Sequence, residues 1–208
     1  MLNKARIAVF VSGGGTNLEA LLQAGEAGQI PHGEFALVCA SNEKAYALQR
    51  AADNGIPSCV IGKKMFADTE AFEDALLAKL KEEEIDLIVL AGYLSILGER
   101  VVKAYPERII NIHPALIPSF CGAGFYGLKV HEAALEKGVK VTGATVHFVN
   151  EIPDGGRILA QKAVDVLPGD TPEKLQRRVM EEAEWLLLPR VTEQVCAAIT
   201  AQKMKGAN

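Results

Sequence analysis

Apolar runs of strand length alternate with helix-spaced apolar positions along most of the chain. Ile7-Ala8-Val9-Phe10-Val11 is continuously apolar, the pattern of a strand buried on both faces of a parallel sheet. A glycine turn follows, and then Leu18, Leu21, Leu22 and Gly25 recur at helical spacing. Phe35–Ala40 reads as a second strand, Glu43–Asp53 as a helix closed by Gly55 and Pro57, and Ser58–Ile61 as a short strand. Phe72, Leu76 and Leu80 stripe a helix over Thr69–Glu83, with Lys81-Glu82-Glu83-Glu84 as its solvated end, and Ile85–Ala91 is another buried strand. This βαβα order predicts an α/β fold with a doubly wound, mostly parallel central sheet.

The second half changes character. An apolar strand over Arg108–His113 is stopped by Pro114, and a helix over Gly127–Lys137 ends at Gly138, the usual residue after a helix. Val139–Asn150 alternates, with Val146 and Phe148 on one side and Thr145 and His147 on the other, so it is expected to be half-buried and antiparallel. After the turn Glu151–Gly156, Ile158–Val166 returns beside it, giving an antiparallel C-terminal strand pair. Thr171 and Pro172 open a long helix carrying Leu175, Val179 and Leu186. Pro189 is expected to kink or break that helix by its clash with the carbonyl of Trp185, and Lys203–Asn208 reads as a frayed tail. With no internal repeat and no linker, residues 1–208 read as one domain, with halves at 1–105 and 106–200.

Composition narrows the partners. The 208 residues are 49% hydrophobic and 23% charged with a net charge of −4, so no basic footprint for nucleic acid or an anionic membrane is present. No apolar run reaches the roughly 18–20 residues of a bilayer span. The N-terminus lacks a secretory h-region, and a cytoplasmic location is expected. Cys39, Cys59, Cys121 and Cys196 stand singly, without the close pairs of a metal or redox motif, and are expected to be reduced and mostly structural. Cys121 could be a nucleophile, but no base stands beside it in sequence.

The chemistry gathers at strand ends. Asn111 and His113 stand two apart, so both side chains leave the same sheet face about 6.5–7 Å apart. An amide donor beside an imidazole suits acyl-type transfer, one holding an oxyanion and the other a proton; a capping Asn with a solvated His is the alternative. Ser12-Gly13-Gly14-Gly15-Thr16-Asn17 between strand and helix could bind a phosphate through free amides and the helix dipole, or be only a tight turn. It matches neither nucleotide fingerprint, because Leu18 replaces the third glycine and no Gly-Lys-Ser/Thr follows. The apolar segment Ala91–Gly98 either walls a flat ligand or starts a core-packed helix. Ser119–Gly127 is glycine-rich with aromatics, a cover for a site. His131 reads as a satisfied core histidine; His147 could be a partner behind the site if the polar face of its strand looks that way, and is otherwise a residue of the half-buried strand's solvated side. Asp154, before two glycines, reads as turn chemistry on its own backbone.

Three stretches carry a resemblance: Ser12-Gly-Gly-Gly-Thr-Asn17, Asn111-Ile-His-Pro-Ala-Leu-Ile-Pro118, and Gly143-Ala-Thr-Val-His-Phe-Val149 with Asp154-Gly-Gly156. Together they resemble the folate-dependent formyltransferases, in the branch acting on phosphoribosylglycinamide, over residues 6 to about 190. The resemblance implies transfer of a formyl group from 10-formyltetrahydrofolate to the amine of glycinamide ribonucleotide in purine synthesis, without a metal. It assigns catalysis to Asn111, His113 and Asp154, and the substrate phosphate to Gly14, Gly15, Thr16 and Asn17. Glu184 falls at the ribose, and Leu94, Ser95, Ile96, Leu97, Asn150, Glu151, Ile152, Asn111 and Asp154 at the folate. Asp154 would raise the imidazole pKa and position a proton-carrying water. Ser95 and Thr69 depart from basic residues of the family, with Lys63 or Lys64 as substitutes. Rival readings are a methionyl-tRNA formyltransferase, a formyltetrahydrofolate deformylase and an inert nucleotide-binding module. The first two are disfavoured by the expectation that no RNA-binding domain follows residue 208 and no regulatory domain precedes the glycine loop. Small-molecule substrates, no nucleic acid, no membrane, and a monomer or homodimer complete the expectation.

Overall fold

The computed structural model describes residues 4–206. Its apolar runs become β1 (Ala5–Val11), β2 (Gly33–Ala40), β3 (Ser58–Val60), β4 (Leu87–Leu90) and β5 (Ile109–His113), all parallel. β6 (Val141–Phe148) and β7 (Ile158–Asp165) then add antiparallel, so one seven-stranded sheet runs β3-β2-β1-β4-β5-β6-β7. The chain winds outward from β1 to β3 and then from β4 to β7 in the other direction. The reversal lies between β1 and β4, where an open α/β sheet places its ligand crevice.

Helices cover both faces. On one, α1 (Thr16–Glu26), α2 (Ala47–Asp53), α5 (Leu128–Lys137), α6 (Pro172–Val179) and α7 (Trp185–Gly206) pack over Val9, Val38, Val89, Ile110 and Val146. On the other, α3 (Thr69–Glu82) and α4 (Glu99–Ala104) cover Ala8, Phe10, Leu37, Ile88 and Ile109. Fully burying each such large apolar side chain contributes about 1.5–3 kcal/mol. Beyond Ile109, over the rest of β5 and over β6, no helix of the described residues covers this second face. Loops take over there, and the polar side chains of the strands gather beneath them.

Several expectations change. The helix expected from Glu43 begins at Ala47, because the Asn42 carboxamide accepts from the Lys44 amide and holds the preceding residues in a turn. β6 is buried on both faces: Thr145 and His147 are shielded along with Val146 and Phe148. The long helix is not broken at Pro189, which lies inside α7. Instead a π-turn over Met180–Glu184 joins α6 to α7. One extra residue per turn there shifts the apolar stripe, so that after Leu175, Val179 and Ala183 it is Leu187 that faces the core, while Leu186 is exposed. Burial of Leu187, Leu188, Val191 and Val195 holds both sides of the proline to the sheet, which outweighs one missing N–H. The tail is helical to Gly206, with the Lys203 ammonium 2.6 Å from Asp86; residues 207–208 lie outside the described residues.

Candidate active site

β5 and β6 bring the site together by register. Ile109, Asn111 and His113 share one face of β5, and antiparallel pairing sets His147 opposite Asn111 and Thr145 opposite His113. Four polar side chains therefore form a two-by-two patch on the face without a helix. Thr145 fixes the turn beyond the strand: its hydroxyl donates to the Ala115 carbonyl (2.7 Å) and accepts from the Ile117 amide (3.1 Å).

Asp154 closes the patch from the 150–156 loop. Its carboxylate does not cap its own turn. Asn150 does that, accepting from the Ile152 amide and donating to the Gly155 carbonyl. Asp154 sits at φ 55°, an uncommon conformation for a residue other than glycine, and its Oδ2 accepts from the Gly122 amide at 2.8 Å. The same carboxylate stands 3.5 Å from His113 Nδ1 and 3.5 Å from His147 Nε2.

The hydrogen bonds assign the imidazole tautomers, because a backbone carbonyl only accepts. His113 Nε2 donates to the Phe120 carbonyl (2.8 Å), which leaves Nδ1 facing Asp154. His147 Nδ1 donates to the Phe148 carbonyl (2.8 Å), and its Nε2 stands between the Asn111 amide (3.2 Å) and Asp154 (3.5 Å), accepting from the first when bare and donating to the second when it carries a proton. The bond from Asn111 uses one of its two N–H groups, and the other is available to a ligand.

Burial pushes the His113 imidazole below its ordinary value; Asp154 and the Phe120 carbonyl pull it up, and His147 pushes it further down. The upward pull expected from Asp154 is present but is outweighed by desolvation. Burial alone would raise the Asp154 carboxyl, yet His147, the Gly122 amide and His113 together hold it below the usual carboxylate range. At neutral pH the site thus holds a carboxylate beside a neutral imidazole.

A cleft of about 540 Å³ opens above this group, lined by Leu94, Ser95, Ile96, Asn111, His113, Pro153, Asp154 and the Gly122–Gly127 loop. A slot of about 120 Å³ continues it between Leu97, Val149, Asn150, Glu151 and Ile152. The 91–97 segment divides its residues. Tyr93 packs edge-on against Phe10 and Leu97 is buried, whereas Leu94 and Ile96 are 63% and 72% exposed. Two anchors therefore hold two apolar side chains toward the opening, and α4 begins only at Glu99. The slot sets Leu90, Leu97 and Val149 against the polar residues Asn111, Asn150 and Asp154.

The glycine loop does not line this cleft; it stands beside it. Ser12 ties the two together, its hydroxyl accepting from the Leu94 amide (2.9 Å) and the Ser41 hydroxyl (2.8 Å). Gly14 has open space above it. Gly15 takes φ +71° to turn into α1, where a Cβ would come within 2.7 Å of Ala47 Cβ. Thr16 starts α1, while the Asn17 side chain turns inward and donates to Glu184 Oε2 at 2.6 Å. Glu184 is therefore buried in the π-turn against α1, not open to the cleft. Burial pushes its carboxyl up to about 7, with the Asn17 bond pulling the other way.

Other candidates settle differently. His131 is fully buried, but neither ring nitrogen has a hydrogen-bond partner among the described residues, so it is a core histidine without satisfaction. Burial, and then His113, lowers it to about 4, which keeps it neutral. The Cys121 thiol donates to the Pro118 carbonyl, and burial and Asp154 raise it, the wrong direction for a nucleophile. Lys44, Lys63 and Lys64 line a cavity of about 870 Å³ that shares Leu94, Ser95 and Ile96 with the cleft, whereas Thr69 only starts α3. Sequence reasoning missed the Phe120 carbonyl and Gly122 amide, backbone groups with no side-chain signal. It also missed Ser12 as a tether, which the strand-end position alone could have suggested. Among the described residues, no helix is long and apolar enough to cross a membrane.

Comparison with known proteins converges. The profile of the Formyl transferase family matches residues 5–192. The chain is 40% identical to the chloroplastic phosphoribosylglycinamide formyltransferase of Arabidopsis thaliana, over 97% of this chain and 68% of that protein. It is 39% identical to the phosphoribosylglycinamide formyltransferase of Haemophilus influenzae, over 89% of this chain and 84% of that one. The crystal structure of glycinamide ribonucleotide transformylase 1 from Symbiobacterium toebii superposes with a TM-score of 0.87 at 39% identity, covering 94% of this chain and 89% of that chain. The chain spans 62% of a second plant relative and 13% and 19% of two animal trifunctional purine biosynthetic proteins.

Proposed function

The chain belongs to the formyl transferase family, and from that premise we infer that it is a phosphoribosylglycinamide formyltransferase of purine biosynthesis. The proposed reaction moves the formyl group of 10-formyltetrahydrofolate to the amine of 5-phosphoribosylglycinamide, giving the N-formyl ribonucleotide and tetrahydrofolate. The observation that carries the assignment of roles is the meeting of Asn111, His113 and Asp154 at the mouth of one apolar cleft.

In this reading the free N–H of Asn111 donates to the oxyanion that develops on the formyl carbonyl as the amine attacks. His113, resting neutral, accepts the amine proton at Nδ1 and becomes an imidazolium facing Asp154. That carboxylate stabilises the charge formed in the step and, with Gly122, holds the loop over the cleft. His147 keeps Asn111 turned toward the opening. Charge stabilisation by groups already oriented in a water-poor site is where most of the rate comes from. The folate donor is assigned to Leu94, Ser95, Ile96, Leu97, Asn150, Glu151 and Ile152, and the substrate phosphate to the amides of Gly14, Gly15, Thr16 and Asn17. Glu184 is assigned to the ribose, which requires its Asn17 bond to open or be shared. In this reading the 1–105 half carries the phosphate loop and the Leu94–Leu97 wall of the folate site, and the 106–200 half carries the catalytic groups, the rest of the folate site and Glu184. A cytoplasmic location, with a monomer or homodimer, belongs to the same proposal, although one relative is chloroplastic.

The test is an assay of purified protein with the formyl donor, with and without glycinamide ribonucleotide. Donor consumption is expected only when the amine is present, with one formylated product per donor consumed. Equal consumption without the amine would identify a hydrolase and overturn the proposal.

A further inference from the structure

Away from the cleft floor, the structure sets two thiols side by side. Cys39 of β2 and Cys59 of β3 are direct partners in the parallel register. Both side chains lie on the face covered by α3, Cys39 within its core and Cys59 packed against it and partly exposed. Neighbouring strands run about 4.7–4.9 Å apart, inside the roughly 4.4–6.8 Å that separates the Cα atoms of a disulfide.

We propose that Cys39 and Cys59 are a reversible dithiol–disulfide pair, oxidised by a low-molecular-weight disulfide of the glutathione class. The Cys59 thiolate attacks one sulfur of that disulfide, forming a mixed disulfide and releasing one thiol. Cys39, giving up its proton, then attacks the Cys59 sulfur, closes the Cys39–Cys59 bond and releases the second thiol. Two thiols of the protein are oxidised as one disulfide is reduced to two thiols, and atoms and electrons balance.

The order of attack follows from the surroundings. Cys39 and Lys79 hold the Cys59 thiol below its ordinary value against the upward push of burial, whereas Cys59 and burial push Cys39 up. Cys59 is also the partner that a reagent can reach.

The bridge is expected to be labile. Side chains on directly opposed parallel strands leave in parallel, so their Cβ atoms lie about as far apart as the strands, beyond the ~3.8 Å typical of a disulfide. Closing the bond draws β3 inward, and strained bridges are the easily reduced ones. β3 can move because it is a three-residue edge strand paired only with β2. Its movement reaches the neighbouring cavity: Val60 and Gly62 follow Cys59, Ser41 and Asn42 follow Cys39, and all four line the space beside Leu94 and Ile96. The proposal rests on the thiols and stands apart from the catalytic reading.

The experiment equilibrates the full chain in reduced and oxidised glutathione, quenches with acid, alkylates the remaining thiols and maps the cysteines by mass spectrometry. The expected product is a Cys39–Cys59 cross-linked peptide that vanishes on adding dithiothreitol. Its ratio to the reduced pair should follow oxidised glutathione over the square of reduced glutathione, so about fourfold dilution at constant ratio raises it about fourfold, whereas a mixed disulfide would not respond. Cys59→Ser should leave Cys39 reduced throughout, and Cys39→Ser, or Cys39→Ala if the serine disturbs the core, should arrest the reaction as glutathionylated Cys59. Oxidation confined to Cys121, a lasting mixed disulfide at Cys59 in the unaltered chain, or bridging seen only when circular dichroism reports unfolding would each overturn the proposal.

Discussion

Replacing Glu184 by Gln isolates the energetic consequence of burying a carboxyl behind the glycine loop. The fold leaves this side chain 4% exposed, with one bond from Asn17, and raises its pKa from 4.5 to about 7. A carboxyl that binds its proton more tightly folded than unfolded takes stability away as pH rises. Below 4.5 both states are protonated and the group contributes no difference. Between 4.5 and 7 the unfolded chain ionises first, stability falls, and above 7 the loss is complete. At about 1.36 kcal/mol per pH unit, the gap between 4.5 and 7 amounts to about 3 kcal/mol. Glutamine keeps the size and an acceptor for Asn17 but cannot ionise. Urea unfolding of both proteins at a series of pH values checks this, since other titrating groups cancel in the difference. The stability of Glu184→Gln relative to the parent should climb from near zero at about pH 4 to about 3 kcal/mol at pH 8. Parallel curves would show that Glu184 ionises freely in the folded state, and the account of its burial would fail.

Further outcomes follow from the site and from the glycine loop beside it. Asn111→Ala and Asp154→Asn should each lower turnover by about 10²–10³, the usual effect of removing one charge-stabilising group, with an unchanged circular dichroism spectrum; a full-rate variant would remove that residue from the mechanism. The acid limb of kcat/KM should lie below the ordinary imidazole value, because His113 is lowered and its neutral form accepts the proton. Asp154→Asn should move that limb further down, since the carboxylate is the principal group raising His113; an upward move would contradict the assignment. Gly15→Ala should destabilise the fold by about 1–3 kcal/mol in thermal or urea melts, from the positive φ and the Ala47 contact together. Gly14→Ala, with open space above it, should leave stability unchanged.

The parallel strands were legible because Ile7–Val11 and Leu87–Ala91 are apolar throughout, and only a strand covered on both faces needs that. The antiparallel pair was legible from the alternation around Val146. Asn111 and His113 announced themselves by spacing alone, since a period of two places i and i+2 on one face whatever the partner strand does. What surrounds them was not local. The alternation in β6 suggested a solvated side, but the loops that bury Thr145 and His147 come from residues 114–126 and 149–154, and nothing in the strand reports them. Asp154 looked like a turn residue because turn preference is set by neighbours, whereas its actual partners, Gly122 and two histidines, arrive from other strands and loops. The apolar stripe slipped from Leu186 to Leu187 because a π-turn adds a residue that helical spacing does not count. Sequence alone determined which segments are strand and which are helix, through short-range periodicity. Only the tertiary structure decided which charges lie out of water and which groups meet, because desolvation and contact depend on what other segments place overhead.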